Sequence, residues 1–166
     1  MKSIRTGLIA AAVLTAGAIV LFGQTAPAHS SASMLQPLSA AKWGPAPPVL
    51  PPGAQIAVLE GNPMAAQPYT VRLKFPANYD IPAHSHPTDE NVTVVTGTIY
   101  FGMGDKLDRA AGQALAPGGF TQAAAGMNHY AYTKGSEVTI VLHGIGPVEF
   151  KYVNPADDPR NKTASK

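Results

Sequence analysis

Three histidines and one glutamate stand out by their spacing. His84 and His86 are two residues apart. Side chains two apart on a β-strand face the same way, so both imidazoles can meet one ion. Pro87-Thr88-Asp89 then breaks the strand. Glu90, four residues after His86, opens a Val- and Thr-rich run from which its carboxylate can turn back toward the same ion. His129 follows Gly126 in a separate run. Three imidazoles and a carboxylate are a borderline donor set for a divalent transition metal: Fe, Mn, Ni, Cu or Zn. A six-coordinate ion held this way keeps two positions for water, substrate or O₂. The chain has no Cys, which removes thiolate metal sites, Fe–S clusters, disulfides and Cys nucleophiles together.

Other residues near this set are weaker candidates. His143 ends the run 138–143, on the face opposite Val138, Ile140 and Leu142, as a donor to the site, a substrate acid/base or a plain polar strand end. Tyr100, Tyr130 and Tyr132 offer phenols that either reach a pocket or sit on the barrel surface. Phe101 and Met103 read as mouth-lining or core residues, and Asp89 as an exposed turn residue. Arg72 and Lys74 alternate with apolar neighbours, which marks a solvated strand face or, for Arg72, an anchor for a substrate carboxylate.

The elements that must position these residues are strands. Short runs rich in β-branched and aromatic residues fall at 55–60, 69–75, 92–100, 119–123, 129–133, 137–143 and 148–153, each bounded by Gly, Pro or Asn. Gly97 breaks the third. Such runs at regular spacing argue an all-β sandwich or barrel. No stretch after the first 28 residues has convincing helical periodicity, and 106–115 is at best a turn or short helix. Residues 29–54 are rich in Ala, Ser and Pro and read as an extended arm, because Pro-dense chain completes neither a helix nor a central strand. Met34, Leu35, Leu38 and Trp43 are the residues that would pin this arm, which otherwise reads as a linker. Residues 154–166 form a polar tail.

The first 28 residues have a different character. Lys2 and Arg5 precede an uncharged, mostly apolar run, and Ala26-Pro27-Ala28 supplies small residues for cleavage. This is the layout of a secretory signal peptide, with a retained anchor as the alternative. Its removal takes two of the twelve Lys and Arg and none of the ten acids, leaving a neutral domain. The expected location is periplasmic or secreted, with no stable membrane anchor after cleavage. A neutral domain without a basic cluster gives no footprint for nucleic acid.

The pattern His84-x-His86-x3-Glu90-x6-Gly97 resembles the first motif of the cupin superfamily, and Gly118-x5-Ala124-x-Gly126-x2-His129-x3-Thr133 resembles the second. The resemblance covers residues 55–153 and implies one small double-stranded β-helix, or jelly-roll, barrel. It implies that His84, His86, Glu90 and His129 bind the metal, with Fe or Mn favoured and Zn, Ni or Cu remaining open. Three positions depart from the pattern: Asn78 stands for the opening Gly, Ala124 for a Pro and Thr133 for a closing Asn. None is a ligand. The resemblance also covers dioxygenases, decarboxylases, isomerases and lyases, so the reaction stays open. The expectation is an oxidoreductase of the dioxygenase type acting on a small molecule. The alternative is a non-catalytic periplasmic barrel that binds or senses a small ligand or metal. Homodimers are common in the family, and the Pro-rich arm is an exchangeable element for one.

Overall fold

The structure, a computed structural model, describes residues 35–162. The expected signal peptide at 1–28 lies outside the described residues, as does Met34. No helix among the described residues is long and apolar enough to cross a membrane.

Eleven strands follow in chain order: β1 Gly44–Pro45, β2 Gln55–Gly61, β3 Pro68–Phe75, β4 Asp80–Ser85, β5 Glu90–Thr96, β6 Ile99–Met103, β7 Gln113–Leu115, β8 Phe120–Ala123, β9 His129–Thr133, β10 Val138–Ile145 and β11 Lys151–Tyr152. They form two antiparallel sheets, ordered β1-β2-β3-β10-β5-β8 and β11-β4-β9-β6-β7. The period-two pattern explains the interior. In β3, Tyr69, Val71, Leu73 and Phe75 are buried while Thr70, Arg72 and Lys74 are half-buried. In β5, Glu90, Val92 and Val94 are buried on alternate positions, which puts the Glu90 carboxylate on the apolar face. Each buried Val, Leu or Phe contributes roughly 1.5–3 kcal/mol by leaving water.

β9 is buried at every position because it is covered on both faces. His129 and Ala131 face the interior cavity. Tyr130 and Tyr132 lie under the loop 104–112, and their hydroxyls donate to the carbonyls of Asp108 (3.1 Å) and Arg109 (2.7 Å). The stretch expected as a turn or short helix at 106–115 is this loop followed by β7. No helix forms there, because the loop takes its order from the tyrosines beneath it and the end of the stretch pairs with β6.

The Pro-rich arm is bound to the barrel, but not by the leucines that the sequence suggested. Leu35 is 94% exposed and Leu38 41% exposed, whereas Leu50 and Ala54 are buried. β1 pairs with β2 at the sheet edge, where a Pro costs no ladder bond. Tyr152 donates to the Val49 carbonyl (2.6 Å) and Tyr79 to that of Pro51. Trp43 lies beneath the Lys74 ammonium, 4.5 Å from the ring centroid.

The two turn departures meet at one place. Asn78 has φ 57°, a conformation Asn tolerates better than most residues. Thr133 closes the same turn, donating to the Pro76 carbonyl (2.7 Å) and accepting from the Tyr79 N–H (2.8 Å). Gly97, at φ 75°, joins β5 to β6 where a Cβ would lie 2.4 Å from the Glu137 carbonyl oxygen.

At Gly102 in β6, a Cβ would lie 2.2 Å from the ring of Tyr130. Gly102→Ala is therefore expected to destabilise the barrel by about 1–3 kcal/mol through overpacking, read as a lower urea midpoint. An unchanged midpoint would show that the loop over Tyr130 yields freely.

Candidate metal centre

The second sheet and its neighbour bring the four spaced residues together. His84 lies in β4, His86 one residue beyond its end, Glu90 opens β5 and His129 opens β9. β4 and β9 pair Ile81 with Ala131 and His84 with His129, so β4 carries one extra residue between them. That bulge puts Ile81 and His84 on the same inward side although they are three apart, and both line the interior cavity. Two contacts hold the ligand loops against each other: the Gly126 N–H donates to the His86 carbonyl (2.8 Å), and the Ala125 N–H to the Asp89 carboxylate (2.8 Å).

All four side chains are buried. Their arrangement settles the imidazole tautomers. His84 Nδ1 faces the Pro82 carbonyl at 2.7 Å, His86 Nδ1 that of Glu149 at 2.6 Å, and His129 Nδ1 that of Met127 at 3.0 Å. A carbonyl only accepts, so each Nδ1 carries a proton and donates it. The other ring nitrogens then turn inward. One ligand atom from each His lies within 4.8 Å of the other two. His86 Nε2 and His129 Nε2 are buried without a hydrogen-bond partner, while the Glu90 oxygens approach them at 3.5 and 3.3 Å. Lone pairs face a carboxylate across these gaps, and only a proton or a metal cation relieves that opposition. The chemistry of the donor set and its orphaned nitrogens fit a divalent transition metal.

The electrostatics follow from burial. Desolvation, reinforced by His129 and His86, lowers the His84 imidazole to about 3, against the smaller opposing effects of Glu90 and the Pro82 carbonyl. His84 is thus a neutral ligand. Desolvation would raise the Glu90 carboxyl, but the adjacent imidazoles, His129 foremost and then His86 and His84, outweigh it and hold it below the usual carboxylate range. Around the ligands the wall is apolar. Phe150 stacks on His84 at 4.6 Å and meets His86 edge-on at 4.5 Å, and Phe101 stacks on His129 at 5.2 Å. A cavity of about 30 Å³ remains among them, lined also by Leu73, Phe75 and Ile140.

The weaker candidates sit elsewhere. His143 is exposed on the outer face of β10, because its neighbours Ile140 and Leu142 take the inward positions. Tyr100 stacks on Tyr132 at 4.9 Å beneath the Lys134 ammonium, on the side of β6 away from the cavity. Neither lines the cavity. Arg72 faces the arm, donating to the Gln36 carbonyl (3.3 Å), and does not anchor a ligand there. Asp89 is exposed, as expected of a turn residue. Phe101 lines the cavity and Met103 is half exposed. Phe150 and Leu50 were not legible as site residues, since each reaches the cavity from a segment distant in sequence, Leu50 from the Pro-rich arm and Phe150 from the stretch after β10.

No protein-family model matches the sequence, and no curated protein matches it. Solved structures do. A polyketide cyclase from Streptomyces resistomycificus aligns with a TM-score of 0.60 at 18% identity, over 79% of this chain and 94% of that one. An RmlC-like cupin protein from Ralstonia eutropha aligns at 0.58 and 15% identity, over 80% and 83%. The chain has the cupin fold. An acetylacetone dioxygenase-like protein from Methylibium petroleiphilum aligns at 0.57 and 17% identity, over 77% and 85%. At these identities the likeness concerns the barrel alone, and the candidate metal centre rests on the chain's own four side chains.

Loading with Mn(II) or Zn(II) is expected to raise the melting temperature, since an ion that binds only the folded state adds about 2.7 kcal/mol at a hundredfold excess over Kd. His84→Ala and His129→Ala should abolish stoichiometric metal in elemental analysis and remove the shift. Full metal content in both variants would rule this centre out.

Proposed function

We propose that the protein is a metal-dependent oxidoreductase of the dioxygenase type that acts on a small, largely apolar molecule. The observation that carries this reading is the convergence of three imidazoles and one carboxylate, of which His84, His129 and Glu90 line a cavity with otherwise apolar walls. Fe or Mn bound here would supply Lewis acidity and open positions for substrate and O₂. The chain supplies the rest. The carbonyls of Pro82, Glu149 and Met127 fix the imidazole rings, and Glu90 supplies compensating negative charge. Phe101 and Phe150 exclude water, which strengthens electrostatic interactions inside and protects reactive species from hydrolysis. Chemistry of this type needs no dedicated nucleophile. The likeness to an acetylacetone dioxygenase-like protein supports the reading through the shared fold.

A second reading is a barrel that binds or senses a metal or small ligand without turnover. Two observations favour it: the cavity is only about 30 Å³, and its sole ionisable lining residues are the candidate ligands His84, Glu90 and His129. In either case the proposed setting is the periplasm or the medium, reached by the signal peptide at 1–28. The arm is proposed as the element through which a homodimer would form. No basic cluster suggests a nucleic-acid partner.

The deciding measurement is O₂ uptake by protein reconstituted anaerobically with Fe(II) or Mn(II), against a panel of diketones, phenols and carboxylic acids. Substrate-dependent uptake that disappears with metal in His86→Ala is the expected result. A fully loaded protein that consumes no O₂ and changes no compound would leave the binding barrel as the function. Uptake that persists in metal-free His86→Ala would place the activity elsewhere.

A further inference from the structure

β7 ends the second sheet and β8 ends the first. Among the described residues β7 pairs only with β6, and β8 only with β5. The two edge strands are consecutive in the chain, yet no ladder joins them. A cleft of about 320 Å³ opens at this seam. Its walls include Phe101 and Met103 of β6, Gln113 and Leu115 of β7, and Phe120 and Thr121 of β8. No charged side chain lines it. Met103 and Phe120 are half exposed, so the cleft is open to solvent. Its volume lies at the lower end of the roughly 300–1,000 Å³ range of small-molecule sites.

Phe101 is the one residue that lines both this cleft and the cavity at the metal centre. Its ring lies nearly parallel to that of His129, at 5.2 Å and 13°. Met103 stands opposite His129 in the β6–β9 ladder, and residues so paired share a face. A line of side chains therefore runs from solvent at Met103, past Phe101, to the candidate ligand His129. The metal cavity measures about 30 Å³, whereas an apolar cavity that admits benzene measures about 150 Å³. It has room for water but not for a carbon skeleton. The chamber beneath the arm, walled by Val49 and Leu50, is also small on that scale, at about 90 Å³. A molecule that reaches the ion must keep its body elsewhere, and the cleft is large enough to hold it.

We infer that this cleft seats the apolar body of a small uncharged ligand, and that Phe101 is the gate through which the ligand's reactive end reaches the metal. The inference deepens the functional reading above and rests on it for the metal. Phe101, Met103, Leu115 and Phe120 supply the apolar surface, and the unbranched Met103 adapts to the shape it meets. A charged body would find no partner in the lining. The size of the side chain at 101 sets the size of the group that passes.

Two readouts test this. Metal-free protein with methyl-labelled methionine is titrated with p-cresol and followed by NMR. Met103 lines the cleft and Met64 lines the chamber beneath the arm, so each methyl reports one space. The Met103 methyl should shift and the Met64 methyl should not. Protein loaded with Co(II), whose visible absorption responds to a new ligand, is then mixed with imidazole or phenylimidazole. The wild type should take imidazole faster. Phe101→Leu should speed phenylimidazole by about tenfold, the low end of what side-chain size in an apolar passage is worth. Phe101→Trp should slow both probes, and Leu50→Ala, on the arm side, should change neither rate. A general loss of packing would not move the two Phe101 variants in opposite directions. No shift at Met103, a shift at Met64 in its place, an unchanged preference in both Phe101 variants, or faster entry in Leu50→Ala would each overturn the inference. Failure to take up Co(II) would reject the metal centre, and the gate with it. A Met103 shift and a Phe101-dependent preference in a protein showing no O₂ uptake would retain cleft and gate and reject the oxidoreductase reading alone.

Discussion

Three imidazoles and a carboxylate held together in an apolar interior need something positive among them. Water cannot screen them there, and lone pairs that face a carboxylate oxygen at 3.3 and 3.5 Å oppose each other. Much of the local architecture serves this one constraint. Backbone carbonyls occupy the outer nitrogen of each ring, which leaves the inner nitrogens no role except to meet a proton or a cation. A bulge in β4 turns His84 inward opposite His129. Contacts from Gly126 and Ala125 lock the ligand loops so that the donors cannot separate to relieve their repulsion.

The apolar side of the site is drawn from the whole chain. Leu50 comes from the arm, Phe75 from β3, Phe101 from β6 and Phe150 from near the end. The arm is therefore part of the site's wall, held there by hydroxyls of Tyr79 and Tyr152 on its carbonyls. Tyrosine suits that task, since its ring adds to the apolar packing while its tip satisfies an otherwise unpaired carbonyl. The same logic places Tyr130 and Tyr132 under the loop that covers the second sheet.

The structural neighbours include a polyketide cyclase and an acetylacetone dioxygenase-like protein, whose names denote different reactions on one barrel. The fold leaves chemistry to the donor set and selectivity to the wall. In this chain the cavity wall is apolar apart from His84, Glu90 and His129. Selectivity at such a wall would rest on very few polar atoms, each surrounded by enough apolar surface to make its hydrogen bonding count.

Much was legible in the sequence because it depends on neighbours a few residues apart. Period-two alternation marked β3, Val and Thr content marked β5, turn residues marked the breaks, and the spacing of His84, His86 and Glu90 marked one inward cluster. The turn with Asn78 was readable as one that needs positive φ. Other features depend on contacts between distant segments, which local pattern does not encode. The β4 bulge is a matter of register with β9, and the order of the loop at 104–112 is a matter of the tyrosines beneath it. Leu35 and Leu38 carry the same apolar character as Leu50, yet of the three only Leu50 is buried. Tyr100 and Tyr130 are the same residue type, and only packing leaves the first half-buried against Tyr132 and buries the second with its hydroxyl on the Asp108 carbonyl. Residue type and spacing determined which atoms could ligate an ion. The tertiary structure alone decided which polar atoms face the cavity without a partner, because that depends on every segment packed around them.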